Sequence, residues 1–340
     1  MSDSQFLTPT EAARRLGVST KALRLYEQRG LLEPARTAAG WRSYGPAEMA
    51  RAGEVVALRA LGLSLAQVAR VLSGDPASLA PALAAHQAAL EIEVRRLAAT
   101  IAQVHALRAD LARGQAPAGG ELARLVRPDS GAGIAFALPW PWGGEMFALP
   151  DIRPMNYIVG PLGSGKTRLA RTIAETLPDA AFLGLERSAD EARVRLDQDP
   201  ALNARVDRTL TWLIEEGAAA SASLIALLVA LESDGPAVLV VDMVEQGLDQ
   251  ASQEALMTHL RRRGPGARPL FLLTRSCAIL DLAAVGPDET IILCPANHSP
   301  PHEVAPYPGA PGYEAVATCL ASPEVRARTA GVIAWRPQVA

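Results

Sequence analysis

The stretch Gly160-Pro161-Leu162-Gly163-Ser164-Gly165-Lys166-Thr167 fits the pattern GxxxxGK[ST], and its reading decides how the second half of the chain folds. In such a loop the glycines let backbone N–H groups converge on phosphate oxygens, and a helix starting just beyond it aims its positive dipole end at the same anion. Gly160, Gly163, Ser164 and Gly165 supply the cradle, Lys166 reaches the β- and γ-phosphates, and the Thr167 hydroxyl ligates Mg²⁺. The flanks agree with this. Met155 to Val159 is a short apolar run feeding into the loop, and Thr167 to Leu177 has a helical pattern. Strand, loop and helix in that order predict a nucleotide-binding α/β domain.

Downstream, Val238-Leu239-Val240-Val241 ends in Asp242, an acid at the edge of an apolar strand that would hold Mg²⁺ directly or through water. Gly247-Leu248-Asp249 precedes a helical segment to Arg263, and Pro269 to Thr274 and Thr290 to Leu293 read as further buried strands. The alternation predicts a mainly parallel sheet covered on both faces.

The segment VVDMVEQGLD, residues 240–249, resembles the acid-tipped strand and following loop of ABC-type ATPases. That resemblance implies ATP or a related nucleotide with Mg²⁺ as the bound pair, and the sequence departs from it at informative places. Met243 stands where that family carries a catalytic glutamate, and the strand expected to end in a histidine ends Thr274-Arg275. Gly217 to Ser223 (GAAASAS) is a worn version of the family's signature, and about seventy-five residues between Lys166 and Asp242 are too few for its full helical subdomain. Glu245 is the remaining candidate for the missing glutamate and Arg275 a candidate phosphate sensor, each against the alternative of a structural ion pair. Trp140 or Trp142 would stack on adenine or pack in the core. Binding is better supported than hydrolysis.

The first seventy-odd residues carry a different pattern. Thr8-Pro9-Thr10-Glu11 is a capping box with proline at the first helical position, and Gly17 ends that helix. Ser19 caps a second helix from about Thr20 to Arg29, with Gly30 as its stop. Two short helices around a turn are a helix-turn-helix, whose second helix enters the major groove, with Lys21 and Arg24 at its start. Arg36 to Tyr44 reads as a two-stranded wing turning at Gly40, with Arg36 and Arg42 meeting phosphates. Pro46 to Leu61 and a helix capped by Ser64 complete the unit.

The run TEAARRLGVSTKALRLYEQRGLLEPAR, then GWRSY and LRALGLSLAQVARVL, resembles the MerR family of bacterial transcription regulators over about seventy residues. Trp41 takes the place of a more usual tyrosine. The resemblance implies a winged helix-turn-helix contacting promoter DNA through Lys21, Arg24, Tyr26, Arg36, Arg42 and Tyr44, and RNA polymerase as partner.

Leu83, Leu90, Leu97, Val104 and Leu111 recur every seventh residue, with Val94 and Ile101 at the offset positions, predicting a coiled-coil seam. The MerR resemblance implies that this helix makes a homodimer by antiparallel pairing. The family's metal sensors carry cysteines around it; here the first is Cys277. The expected organisation is a DNA-binding head over residues 1–76, a dimerisation helix over 77–113, a Gly/Ala/Pro-rich linker over 114–133 and a nucleotide domain over 134–340.

A net charge of −3 gives the whole chain no strong pull toward DNA, so any such affinity is local. The three cysteines match no zinc spacing and suggest a reducing interior, and Cys294, His298 and His302 are interrupted by Pro300-Pro301. No signal-peptide core or membrane span is apparent, so the expected location is cytoplasmic, at the nucleoid when DNA-bound. Three functions fit: a nucleotide-modulated transcription regulator, a DNA-targeted ATPase acting on DNA or a partner protein, and a vestigial nucleotide fold kept as a dimerisation platform.

Overall fold

The computed structural model describes residues 6–37, 40–115, 133–264 and 267–325, which fall in two compact units, residues 1–128 and 129–340. Most of the linker expected over 114–133 lies outside the described residues.

The first unit opens with α1 (Pro9–Leu16) and α2 (Thr20–Gln28). The Thr8–Glu11 capping box forms in both directions, and Gly17 adopts the left-handed conformation that closes α1. Ser19 accepts from the Ala22 N–H to start α2. Strands β1 (Ala35–Arg36) and β2 (Arg42–Ser43) pair antiparallel as the wing. Helices α3 (Pro46–Ala60) and α4 (Leu65–Leu72) follow, α4 capped by Ser64 and Gln67. Ala12, Leu23, Tyr26, Tyr44, Val55, Leu63 and Val68 share one core. A 3₁₀ turn at Pro76–Ser78 leads into α5 (Leu79–Ala112), 34 residues long. At 1.5 Å per residue it spans about 50 Å.

In the second unit β3 (Ile134–Ala137) and β4 (Met146–Leu149) form an antiparallel hairpin absent from the sequence expectation. The main sheet contains β5 (Met155–Val159), β6 (Ala180–Leu183), β7 (Val238–Val241), β8 (Leu270–Leu273), β9 (Glu289–Leu293) and β10 (His302–Val304) in the order β10-β9-β5-β8-β7-β6. Its pairings are parallel except β10 with β9. Helix α6 (Lys166–Thr176) follows β5; α7 (Ala189–Gln198), α8 (Pro200–Glu216) and α9 (Ala222–Glu232) lie between β6 and β7; α10 (Gln250–Arg262) precedes β8 and α11 (Tyr313–Cys319) follows β10.

Alternate residues of the central strands enter two cores, one on each face. Tyr157, Val241 and Leu272 join α8, α9 and α10 on one side, and Ile158, Val240 and Phe271 join α6 and the hairpin on the other. Burial on both faces explains why β7 and β8 are unbroken apolar runs. The same logic accounts for the apolar stretch Ala218 to Leu231, which lies largely in α9, a helix buried nearly all round.

Candidate nucleotide site and nucleic-acid interface

β5 delivers the chain to Gly160, and Gly165 caps α6 in the left-handed conformation (φ +91°). A Cβ at Gly165 would stand 2.6 Å from the Trp142 ring, and one at Gly160 would stand 2.3 Å from the Cys294 carbonyl oxygen. The hairpin side and the end of β9 thus press the loop from opposite directions, and only glycine fits. Trp142 is buried, and its indole N–H donates to the Ser299 carbonyl at 3.3 Å. It takes the core role of the two expected for it; Trp140 is 78% exposed.

β8 separates β5 from β7, yet the Thr167 hydroxyl donates to Asp242 Oδ2 at 3.0 Å. The two predicted Mg²⁺ ligands therefore meet at the C-terminal edge of the sheet. Lys166 Nζ donates to the carbonyls of Gly160 (2.8 Å) and Pro161 (2.7 Å), and burial lowers its pKa from the ordinary lysine value. The Ser164 hydroxyl is buried with no hydrogen-bond partner among the described residues. A cavity of about 460 Å³ opens over Gly163, Gly165, Lys166, Thr167 and Asp242. An orphaned hydroxyl, a cradle that excludes a Cβ, a lysine and a paired hydroxyl–carboxylate fit a nucleotide's phosphates and Mg²⁺.

Around this centre the structure revises several expectations. Glu245 is 3% exposed and its Oε1 accepts the Arg275 N–H at 2.9 Å, so it holds the end of β8 and does not line the phosphate cavity. Arg275 does line that cavity, as does Met243, whose φ of +45° is unusual for a non-glycine residue. Arg187, which no motif singles out, donates from Nη2 to the carbonyls of Asp242 (2.8 Å) and Met243 (2.6 Å), fixing the turn after the acid. Its loop follows β6, a strand whose half-buried residues carry no clear alternation. In the worn signature segment Gly217 ends α8, Ser221 caps α9, and Ser223 packs against Gly247. Cys294 is buried at the end of β9, while His302 is exposed on β10. Among the described residues no group of three or more His, Cys, Asp or Glu is arranged to hold a metal ion.

In the first unit Lys21 and Arg24 stand exposed, three residues apart on one face of α2, opposite buried Leu23 and Tyr26. Arg36 is exposed on the wing, with Nη1 donating to the Gly40 carbonyl at 3.2 Å. Arg42 is half-buried; its Nε donates to Glu27 Oε2 at 2.6 Å and braces the wing on α2. Tyr26 and Tyr44, expected at the DNA, are packed in the core of the head. The Tyr44 hydroxyl donates to Glu27, and its backbone exchanges hydrogen bonds with Leu7 at 2.8 and 2.9 Å. On α5, Leu83, Leu90, Val94, Leu97, Ile101 and Leu111 are 47–64% exposed, so the heptad seam is uncovered in the single chain. No helix among the described residues is long and apolar enough to cross a membrane.

Residues 7–75 match the family described as MerR HTH family regulatory protein, and they form a MerR-type helix-turn-helix domain. A probable heavy metal-dependent transcriptional regulator of Haemophilus influenzae is 42% identical over 65 residues, covering 19% of this chain and 51% of that protein. Transcriptional regulator BrlR of Pseudomonas aeruginosa is 34% identical over 112 residues, 31% of this chain and 42% of that one. The chain spans about half the length, or less, of the curated relatives it matches. Among solved structures, a MerR family regulator lacking the sensor domain, bound to promoter DNA, aligns over 31% of this chain and 94% of that chain with 24% identity and a TM-score of 0.26. The ADP conformation of an ATP-binding cassette of an ABC transporter aligns over 56% of this chain and 92% of that one with 13% identity and a TM-score of 0.35.

Proposed function

We propose that this chain is a homodimeric, sequence-specific DNA-binding transcription regulator whose C-terminal domain binds ATP or a related nucleotide with Mg²⁺, and that nucleotide occupancy modulates the grip on DNA or its distortion. One observation carries the nucleotide part: in a chain with a MerR-type head, Thr167 and Asp242 come within 3.0 Å beside an intact glycine loop. Lys21, Arg24 and Arg36 are the exposed cations that contact promoter DNA, and the uncovered seam of α5 pairs two chains. Two heads related by a two-fold then address a pseudo-palindromic site, and RNA polymerase is the partner that reads the distorted DNA. Allostery requires only that nucleotide favour one arrangement of the heads over another.

The second reading, a DNA-targeted ATPase, keeps the same pocket but needs a group to activate water. Met243 follows Asp242 directly, and Glu245 is committed to the Arg275 backbone. Both observations favour slow turnover.

The test measures binding to promoter-sized duplexes and Mg-ATP hydrolysis for the intact chain and for Lys166→Ala. The regulator predicts sequence-selective duplex binding with slow or undetectable hydrolysis. Fast hydrolysis abolished by Lys166→Ala supports the ATPase, and duplex binding without sequence preference ends the regulator proposal.

A further inference from the structure

A second cleft of about 390 Å³ adjoins the phosphate cavity, and the two share Leu162 and Arg275. Its walls are apolar: Pro161 and Leu162 from the loop, Leu293 and Pro295 at the end of β9, Ala315 from α11. Its polar side chains are Arg275, Thr318 and Cys319. The Thr318 hydroxyl already donates to the Ala315 carbonyl at 3.0 Å, and burial raises the Cys319 thiol, keeping it neutral. Among the described residues no carboxylate lines the cleft, and none forms an ion pair with the Arg275 guanidinium. The Arg275 backbone is fixed on both sides, its N–H held by Glu245 at 2.9 Å and its carbonyl accepting from Ala321 at 2.9 Å. Only the side chain is left to turn.

We infer that this cleft is a binding site for a small amphipathic anion, an organic carboxylate with a compact apolar body, and that its occupant competes with nucleotide for Arg275. The apolar walls take the body, and the half-buried guanidinium, lacking an acid, takes the carboxylate through paired N–H donors. A guanidinium turned into this cleft is withdrawn from the neighbouring phosphates, so the two ligands oppose each other, and the coupling is reciprocal. The coupling, though not the site, rests on the nucleotide reading above.

Benzoate is the probe, and benzyl alcohol its neutral counterpart. Calorimetry or ligand-observed NMR on the full chain should show benzoate binding at least about tenfold tighter than benzyl alcohol. Arg275→Gln should remove that preference. Ala315→Trp should block benzoate while leaving Mg-ATP affinity within roughly threefold, and Ala296→Leu serves as a second blocking variant. Both alanines are exposed in the cleft, so neither substitution burdens the core. Benzoate should also raise the apparent Kd for Mg-ATP in the wild type and leave it unchanged in Arg275→Gln. Equal binding of benzoate and benzyl alcohol, or no binding at millimolar benzoate, overturns the proposal. So does an Ala315→Trp variant that loses ATP yet keeps inorganic tripolyphosphate, because the cleft then houses the nucleoside. Selective benzoate binding in a chain that binds no nucleotide supports the site and overturns the nucleotide reading instead.

Discussion

Thr167 and Asp242, 75 residues apart in sequence, meet through a hydroxyl–carboxylate hydrogen bond of 3.0 Å. β8 lies between the strands that lead to them, β5 and β7, so the meeting depends on the β5-β8-β7 order and on both connections leaving the same edge of the sheet. Replacing Asp242 by Asn keeps the shape and removes the charge. Mg²⁺-dependent nucleotide affinity should fall by about tenfold or more while metal-free binding changes little, as read by titration with and without a chelator.

The glycine loop is confined by its neighbours. Gly160→Ala drives a Cβ against the Cys294 carbonyl, a backbone atom with no freedom to move aside. Nucleotide binding should be lost and the melting temperature of the second unit lowered, whereas Gly235→Ala, with open space around it, should change neither. Circular dichroism melts beside nucleotide titrations separate the two.

On the DNA-binding head, surface cations and core tyrosines should part company. Arg24→Ala should weaken duplex binding, flatten its salt dependence by about one ion if it meets a phosphate, and leave the melting temperature unchanged. Tyr44→Phe deprives Glu27 of a buried hydroxyl donor and should destabilise the head by roughly 1–2 kcal/mol, with DNA contacts otherwise intact.

The capping box at α1 gives a pH dependence of defined sign. Hydrogen bonds from the Thr8 backbone and then its side chain hold the Glu11 carboxyl below its ordinary pKa. A depressed pKa means that this contribution is present above the ordinary glutamate range and is lost as pH falls through the lowered value. Thr8→Ala should lower stability at neutral pH and progressively less so in acid, as followed by denaturant titration at several pH values.

Thiol reactivity should follow burial. Burial pushes the Cys294 thiol up to about 12, while Cys277 is exposed. Iodoacetamide on the native chain should modify Cys277 first and Cys294 only on unfolding, as mass spectrometry of digested fragments would show.

What was legible in the sequence was what local chemistry dictates. Thr8, Ser19 and Ser64 cap the helices that their spacing announced, Gly17 closes α1, and the glycine loop sits between β5 and α6. The packing of Tyr44 is not readable in the sequence because its partner, Leu7, lies across the fold, and a two-residue strand is too short to show which way the next side chain turns. The hairpin β3–β4, the edge strands β6 and β10, and Arg187 were missed for a related reason. Their roles come from tertiary pairing, and their residues are too short a run or too mixed in burial to give a period. Glu245 and Trp142 have chemistry suited to a site, and only packing reveals that each supports the loops instead.

The seam of α5 is the simplest part to break. Leu97→Lys places a charge among exposed leucines that are expected to face a second chain. Sedimentation should show a dimer for the wild type and a monomer for the variant at micromolar concentration, with cooperative duplex binding lost in parallel.

A nucleotide-modulated regulator requires that occupancy of the phosphate cavity change the grip on DNA. Its most direct test is duplex affinity and end-to-end FRET on an operator selected from a random pool, at fixed salt, with and without Mg-ATP, for the wild type and Lys166→Ala. Mg-ATP should shift affinity by about fivefold or more, or change the FRET distance, in the wild type and do neither in Lys166→Ala. Superimposable wild-type curves with nucleotide bound would contradict it.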